Sequence, residues 1–197
     1  MTMPKTTGPL PDRIILGIDP GTNYMGYGVV LIHQTLPKLL GMGVLDIKKD
    51  TDTYDKLKQI FDRTTQVIKQ FHPTEFAIEA QFFGKNVQSM LKLGRAQGVS
   101  IAAALEQGLP ITEYAPLKIK QAITGNGMAA KEQVAAMVKQ YLHLKEDEMP
   151  EHLDTTDAIG VALCHYFQTS HKINGEKKFN NWNDFIKQNK QRIKTGR

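Results

Sequence analysis

The sequence predicts an α/β fold with one five-stranded mixed sheet: an antiparallel meander extended by parallel strands, with helices on both faces. Three observations carry this expectation. Residues 14–18 (IILGI) are an apolar run broken only by a glycine, and Asp19-Pro20-Gly21 then turns the chain, as at the end of a buried strand. Two more strand-like runs follow at once, at 25–32 (MGYGVVLI) and 39–47 (LLGMGVLDI), joined by short connections as in a meander. From residue 54 onward helical and strand periods alternate, as in helices packed on a sheet.

Taken in order, residues 1–12 have little apolar character and read as a flexible lead, and the first strand covers 13–19. Residues 54–71 carry Leu57, Ile60, Phe61, Val67, Ile68 and Phe71 at helical spacing, and His72-Pro73 ends that helix, since a residue before proline avoids the α region. Residues 75–79 (EFAIE) form a fourth strand, again finishing on an acid. A long helix over 85–107 is rich in small residues, among them Gly94, Ala96, Gly98 and Ser100. Such a stripe permits close helix approach, either in the core or across a dimer axis. Gly108-Leu109-Pro110 stops it, and 111–115 (ITEYA) is a fifth strand. Pro116 opens a short helix to residue 123, 129–142 is the next, and an acidic loop with Pro150 leads to a last core helix over 153–167. No internal repeat occurs. The main body covers 13–168, and a basic tail covers 169–197.

The 197 residues suit one domain with a tail. A hydrophobic content of 41% and a charged content of 23% are those of an ordinary globular chain. No apolar run approaches the ~20 residues of a membrane span, and the first residues lack a signal-peptide core. A single cysteine, Cys164, forms no internal disulfide and lies in an apolar helical stretch, which places it in the core and the chain in a reducing, cytoplasmic setting. The net charge of +5 is uneven: from His171 on, eight Lys and Arg face only Glu176 and Asp184. The body is close to neutral, and the tail is suited to a polyanion or to solvent.

Acids stand where strands stop. Asp19 ends the first strand, Glu79 ends the fourth, and Asp154 and Asp157 open the last helix, three residues apart and so on one face. Each has a bland alternative: Asp19 as a turn cap, and Asp154 with Asp157 as a capping box. Carboxylates gathered at one sheet edge repel unless cations are present, and an all-oxygen set selects hard ions such as Mg²⁺ or Mn²⁺ over zinc. Two such ions clamp a phosphodiester in the general two-metal scheme.

The stretches GIDPGTNYMGYGVV, FAIEAQFFGKN, LKLGRAQGV, ITEYAPLKIKQAITGNGMAAKEQV and LDTTDAIGVALCH closely resemble the RuvC-type Holliday-junction resolvases, over roughly residues 13–168. The resemblance implies an RNase H-like fold for 13–168, a symmetric homodimer, and metal-dependent nicking of two opposed strands of a four-way DNA junction, leaving 5′-phosphate and 3′-hydroxyl ends. It implies two Mg²⁺ per site, with Mn²⁺ as a substitute, and a branch-migration partner, the RuvA/RuvB complex. The family's catalytic and metal-binding acids fall on Asp19, Glu79, Asp154 and Asp157. Phe82 falls on the family's base-contacting aromatic, and Lys120 and Lys131 fall on its basic positions near the cut phosphate. Lys85 follows Gly84 in the loop leaving the acid-bearing strand, within reach of a phosphate, and Lys85 and Asn86 are further DNA-binding candidates. Arg95 lies mid-helix, suited to a dimer contact. His152 is near the acid pair but reads as an exposed loop histidine.

Three alternatives stay open at this point. An RNA-processing nuclease would use the same fold and acids. An ATP-binding domain of the actin and sugar-kinase type opens with a similar Asp-x-Gly-Thr turn but needs a second, duplicated half. A non-catalytic junction-binding module gains nothing from four acids facing phosphate.

Overall fold

In the computed structural model the described residues are 11–48, 52–81, 86–150 and 152–173. Among them five strands form one sheet: β1 (Arg13–Asp19), β2 (Tyr24–His33), β3 (Leu36–Asp46), β4 (Glu75–Glu79) and β5 (Ile111–Tyr114). Their spatial order is β3-β2-β1-β4-β5, with β1, β2 and β3 mutually antiparallel and β4 and β5 parallel to β1. Five α-helices pack on this sheet: α1 (Thr53–Phe71), α2 (Val87–Glu106), α3 (Pro116–Thr124), α4 (Lys131–Leu142) and α5 (Leu153–Ile173).

The two faces follow from the period of two along each strand. Leu16 and Ile18 of β1, with Phe76 and Ile78 of β4, bury against Ile60 and Val67 of α1 and Ala96 and Ala104 of α2. Ile15 and Ala77 point the other way, into a core with Ile119 of α3, Val138 of α4 and Ile159 of α5. Cys164 lies in this second core, where burial pushes its thiol up to about 12.

Glycines decide how close α5 comes. A Cβ on Gly17 would stand 2.2 Å from the Ala158 carbonyl oxygen and 2.7 Å from the Ala162 nitrogen, and one on Gly26 would stand 2.0 Å from the Asp154 carbonyl oxygen. Only a bare backbone at these positions lets the helix lie directly on β1 and β2. The sequence reading placed close approach in the small residues of α2 instead. There the residues divide: Ala96, Ser100, Ala103 and Ala104 are buried, whereas Cβ atoms on Gly94 and Gly98 would meet nothing within 4 Å.

Several element bounds differ from expectation for local reasons. β3 begins at Leu36 rather than 39, because Pro37 is tolerated on an edge strand whose outer side needs no N–H donor. α4 begins at Lys131 rather than 129, since Ala130 is extended and the Gln133 side chain accepts its N–H at 2.9 Å. α5 continues past Phe167 to Ile173, with the Thr169 and Ser170 hydroxyls donating to the carbonyls of His165 and Tyr166, both at 2.7 Å. The aromatic segment of the basic tail (Trp182, Phe185, Ile186) and most of the N-terminal lead lie outside the described residues.

The sheet end opposite Asp19 carries a polar network. Arg13 at the start of β1 donates to both carboxylate oxygens of Glu75, at 2.6 and 2.7 Å, and to Thr169 Oγ1 at 2.7 Å. His165 Nε2 lies 2.7 Å from Glu75 Oε2, and His165 Nδ1 lies 2.9 Å from the Tyr114 hydroxyl. Burial alone would raise the Glu75 pKa, but the hydrogen bonds from Arg13 and His165 outweigh it and bring it down to about 2. A carboxylate depressed below its unfolded value of 4.5 contributes stability above that pH and loses it as pH falls through the folded value. Glu75→Gln is therefore expected to cost on the order of 2 kcal/mol near neutral pH, below the 3–5 of a fully buried broken pair. Urea denaturation checks this: the difference between the two proteins should shrink as the pH is taken down from 5 towards 3.

Candidate active site

The edge formed by the C-terminal ends of β1 and β4 gathers the acids. Asp19 closes β1 and Glu79 closes β4, two adjacent parallel strands, so their carboxyls share an edge. Asp154 and Asp157 lie in the first turns of α5, which the glycines of β1 and β2 draw down onto the same edge. Among the described residues Asp19, Asp154 and Asp157 offer carboxylate oxygens that all lie within 4.8 Å of one another. Glu79 stands outside that trio but lines the same cavity of about 250 Å³, together with Asp19, Asp157, Lys120 and Lys131.

The capping-box alternative for Asp154 does not hold. α5 begins at Leu153, so Asp154 is inside the helix, and its Oδ1 accepts from Lys131 Nζ at 3.3 Å. The same ammonium lies 2.5 Å from Asp157 Oδ2. Lys131 thus bridges the two aspartates from the start of α4. Burial works against its charge, but the hydrogen bond to Asp157 and that carboxylate's charge hold its pKa well above the usual lysine value.

The carboxyls bear the opposite strain. Burial raises the Asp19 pKa well above its ordinary value, and the negative charges of Glu79 and Asp157 raise it further. Burial and the Asp157 charge push Glu79 up to about 7, against the lowering influence of Lys131 and Lys120. Asp157 is raised by burial, although Lys131 opposes it. Ile119 and Val134 form an apolar part of the cavity wall beside these carboxyls. The sequence analysis did not single out either, though each lies one helical turn or less from a flagged lysine: Ile119 precedes Lys120, and Val134 follows Lys131 by three.

A dense set of oxygen donors with raised pKa values fits a hard divalent cation, which would replace protons as the source of neutralisation. Asn86 is the N-cap of α2, its side chain accepting from the Ser89 N–H at 3.1 Å. Arg95 is exposed on α2. His152 stacks on Tyr24 with ring centroids 5.4 Å apart and is not among the clustered ligands. Phe82 and Lys85 lie outside the described residues.

The model of the family Crossover junction endodeoxyribonuclease RuvC matches residues 15–165, which take in the sheet except the first two residues of β1, and the acidic edge. The chain belongs to the RuvC family. RuvC of Bacteroides fragilis is 53% identical over 186 residues, covering 94% of this chain and 98% of the relative. RuvC of Cytophaga hutchinsonii is 56% identical over 192 residues, covering 98% and 92%. RuvC of Thermus thermophilus in complex with Holliday junction substrate is 35% identical, with a TM-score of 0.75 over 82% of this chain and 97% of that one. The sheet, with its meander and helices on both faces, is thus the RNase H-like fold of RuvC resolvases. The family match stops before the tail, but the alignments to relatives take in nearly the whole chain, so the extensions are not peculiar to it. Family membership and the acidic cluster together indicate divalent-metal binding. Among the described residues no helix is long and apolar enough to cross a membrane.

Raised carboxyl pKa values have a thermodynamic consequence. Between the unfolded value of 4.5 and the folded value of about 7, Glu79 holds a proton in the native state that the unfolded chain has released. Asp19 acts in the same direction. Native stability therefore falls as pH rises through this window. In EDTA the melting temperature is expected to drop between about pH 5.5 and 8, and Glu79→Gln should flatten that dependence. A wild-type melting temperature that rises over the same range would contradict the assignment.

Proposed function

We propose that this chain is a structure-selective endodeoxyribonuclease that resolves four-way DNA junctions by paired nicks during recombination and repair. The observation that carries the reading is the convergence of Asp19, Asp154 and Asp157 beside Glu79, at one edge of a RuvC-family sheet. In this reading the four acids hold two Mg²⁺ ions, with Mn²⁺ as a substitute. Bound there, the cations supply positive charge at the scissile phosphodiester and lower the pKa of water. The chain's own residues do the rest. Asp19 and Glu79, fixed to adjacent strands, set the spacing of the carboxylates. Asp154 and Asp157 close the site from the helix. Lys131 and Lys120 keep fixed positive charge beside the incoming phosphate, and the Ile119 and Val134 wall limits water, which strengthens each charge interaction. Hydrolysis breaks the P–O3′ bond and gives 5′-phosphate and 3′-hydroxyl ends.

A homodimer is supported by α2. Its solvent side presents Val87 and Leu91, then Gly94 and Gly98, then Leu105, in steps of four, three, four and seven that keep to one helical stripe. Val87, Leu91 and Leu105 are 64%, 53% and 62% exposed. The glycines between them permit close approach of the same helix from a second copy, and a two-fold axis would present two identical sites to a symmetric substrate. Phe82, Lys85 and Asn86, which follow β4 in the sequence, are assigned to DNA contact, and in this reading the Phe82 ring stacks on an unpaired base. A RuvA/RuvB branch-migration complex is the proposed partner, and the cytoplasm the proposed location.

Asp19→Asn tests the site. Cutting of a mobile four-way junction should fall on the order of 10²–10³-fold or more, while junction binding in Ca²⁺ stays within a few-fold of wild type. Cutting at a wild-type rate would remove Asp19 from the mechanism. The substrate is tested separately with a mobile junction and a linear duplex, in Mg²⁺ and in EDTA. Symmetric nicks on the junction alone, lost in EDTA, are the expected outcome. Equal cutting of the duplex would overturn junction selectivity.

A further inference from the structure

Outside the acidic edge the described residues form a second concave site. A cavity of about 140 Å³ lies where the β1–β2 turn meets the N-terminal halves of α1 and α2. Its floor is apolar, with Ile47, Ile60 and Ala96 buried beneath it. Its rim is polar, formed by Thr22, Asn23, Thr53, Lys56 and Lys92, and among the described residues no carboxylate lines it. Lys56 Nζ donates to the Thr22 carbonyl oxygen at 3.3 Å, which holds the ammonium at the rim, and an ammonium has two further donors. Lys92 is exposed and forms an ion pair with no carboxylate among the described residues. This differs from Lys58, Lys131 and Lys139, each of which meets an acid. Two lysines from different helices, converging on one cavity with hydroxyl and amide groups and with no acid among the described residues lining it, form a donor set suited to an anion.

Its place in the fold identifies the anion. Thr22 follows Asp19 by three residues on the same turn, and Ile47 follows β3 at that end of the sheet, since Tyr24 pairs with Asp46. The cavity therefore opens at the edge that carries the acids, but on the α1/α2 side of the sheet, whereas α3, α4 and α5 flank the acidic cavity. A polynucleotide with one phosphate at the acids and its chain crossing this edge brings another phosphate over the Lys56–Lys92 rim. We infer that Lys56 and Lys92, with the Thr22 and Thr53 hydroxyls, form a second backbone-phosphate site for the DNA substrate, at a phosphate other than the one cut. This inference rests on the proposed function and extends it to the strand's path.

The test compares wild type, Lys56→Gln/Lys92→Gln and Lys56→Arg/Lys92→Arg, each checked for an unchanged melting temperature. Junction binding is measured against salt concentration, and against junctions carrying single neutral methylphosphonate linkages along the cut strand. The Gln pair should reduce the salt slope of log Kd by about 1–2, roughly one per lysine lost, and the Arg pair should restore it. One methylphosphonate position other than the scissile one should weaken wild-type binding and have no further effect in the Gln pair. With the junction at saturation kcat should be unchanged while KM rises. Wild-type protein that cuts junctions, with the same salt slope and methylphosphonate pattern in the Gln pair, overturns the cleft and leaves the nuclease reading standing. Wild-type protein that does not bind junction DNA overturns both. Thermal stabilisation by inorganic phosphate that is lost in the Gln pair, without any change in the DNA slope, assigns the cleft to a free anion and overturns its DNA role.

Discussion

The contact on which the rest depends is that of α5 with the bare backbone of β1 and β2. Gly17 sits against Ala158 and Ala162, and Gly26 sits against Asp154, at distances that leave no room for a Cβ. A methyl group at either glycine would have to push α5 outward or distort the strand. The consequence is chemical as well as structural. Asp154 and Asp157 belong to α5, and Asp19 belongs to β1, so the depth at which the helix seats sets whether the three carboxylates meet. Packing at Gly17 and Gly26 is therefore the support for the site, although neither residue carries any chemistry.

The same strand, β4, shows how the fold treats charge at its two ends. Glu75 and Glu79 are four residues apart and on one face, with Ala77 between them. At the Glu75 end Arg13 and His165 supply donors, and the carboxyl is held at about 2. At the Glu79 end the neighbours are other acids, and the carboxyl is pushed up to about 7 despite two nearby lysines. One end is satisfied within the chain and contributes stability. The other is left short of positive charge, and Lys131 makes good only part of the deficit by bridging Asp154 and Asp157. That is the electrostatic profile of a cation site: a fold that satisfied these acids internally would have no use for a metal.

Much of this was legible in the sequence. The strand ends at Asp19 and Glu79 follow from apolar runs that stop on an acid, and the pairing of Asp154 with Asp157 follows from helical spacing. Lys120 and Lys131 were found through the family resemblance, and the structure places both on the cavity beside the acids. What was not legible were relations between distant segments. A glycine in a strand looks like a weakness until the helix that covers it is known, so the stripe on β1 and β2 carried no signal, while the more conspicuous small residues of α2 drew the close-approach argument. Of those, Ala96, Ser100, Ala103 and Ala104 are buried, and Gly94 and Gly98 face outward. Lys56 and Lys92 lie on α1 and α2 with β4 between them in the sequence, and only the folded chain shows that both reach one cavity.

The placement of α2 bears on why such an enzyme would work as a pair. Asp19, Glu79, Asp154 and Asp157 all come from one chain, so a second copy adds nothing to the acid set. In the proposed dimer the reason for pairing would lie in the proposed substrate, whose opposed strands need two cuts in a fixed relation. α2 suits that requirement because its buried side, Ala96, Ser100, Ala103 and Ala104, is locked to the sheet that holds Asp19 and Glu79. Its exposed side is the one proposed to meet the partner. A twenty-residue helix spans about 30 Å without internal freedom, and it starts only eight residues after Glu79. In the proposed dimer, then, the separation of the two sites is fixed by packed helix and sheet rather than by a flexible link. Symmetric cutting would follow from that rigid spacing, with no signal needed between the two sites.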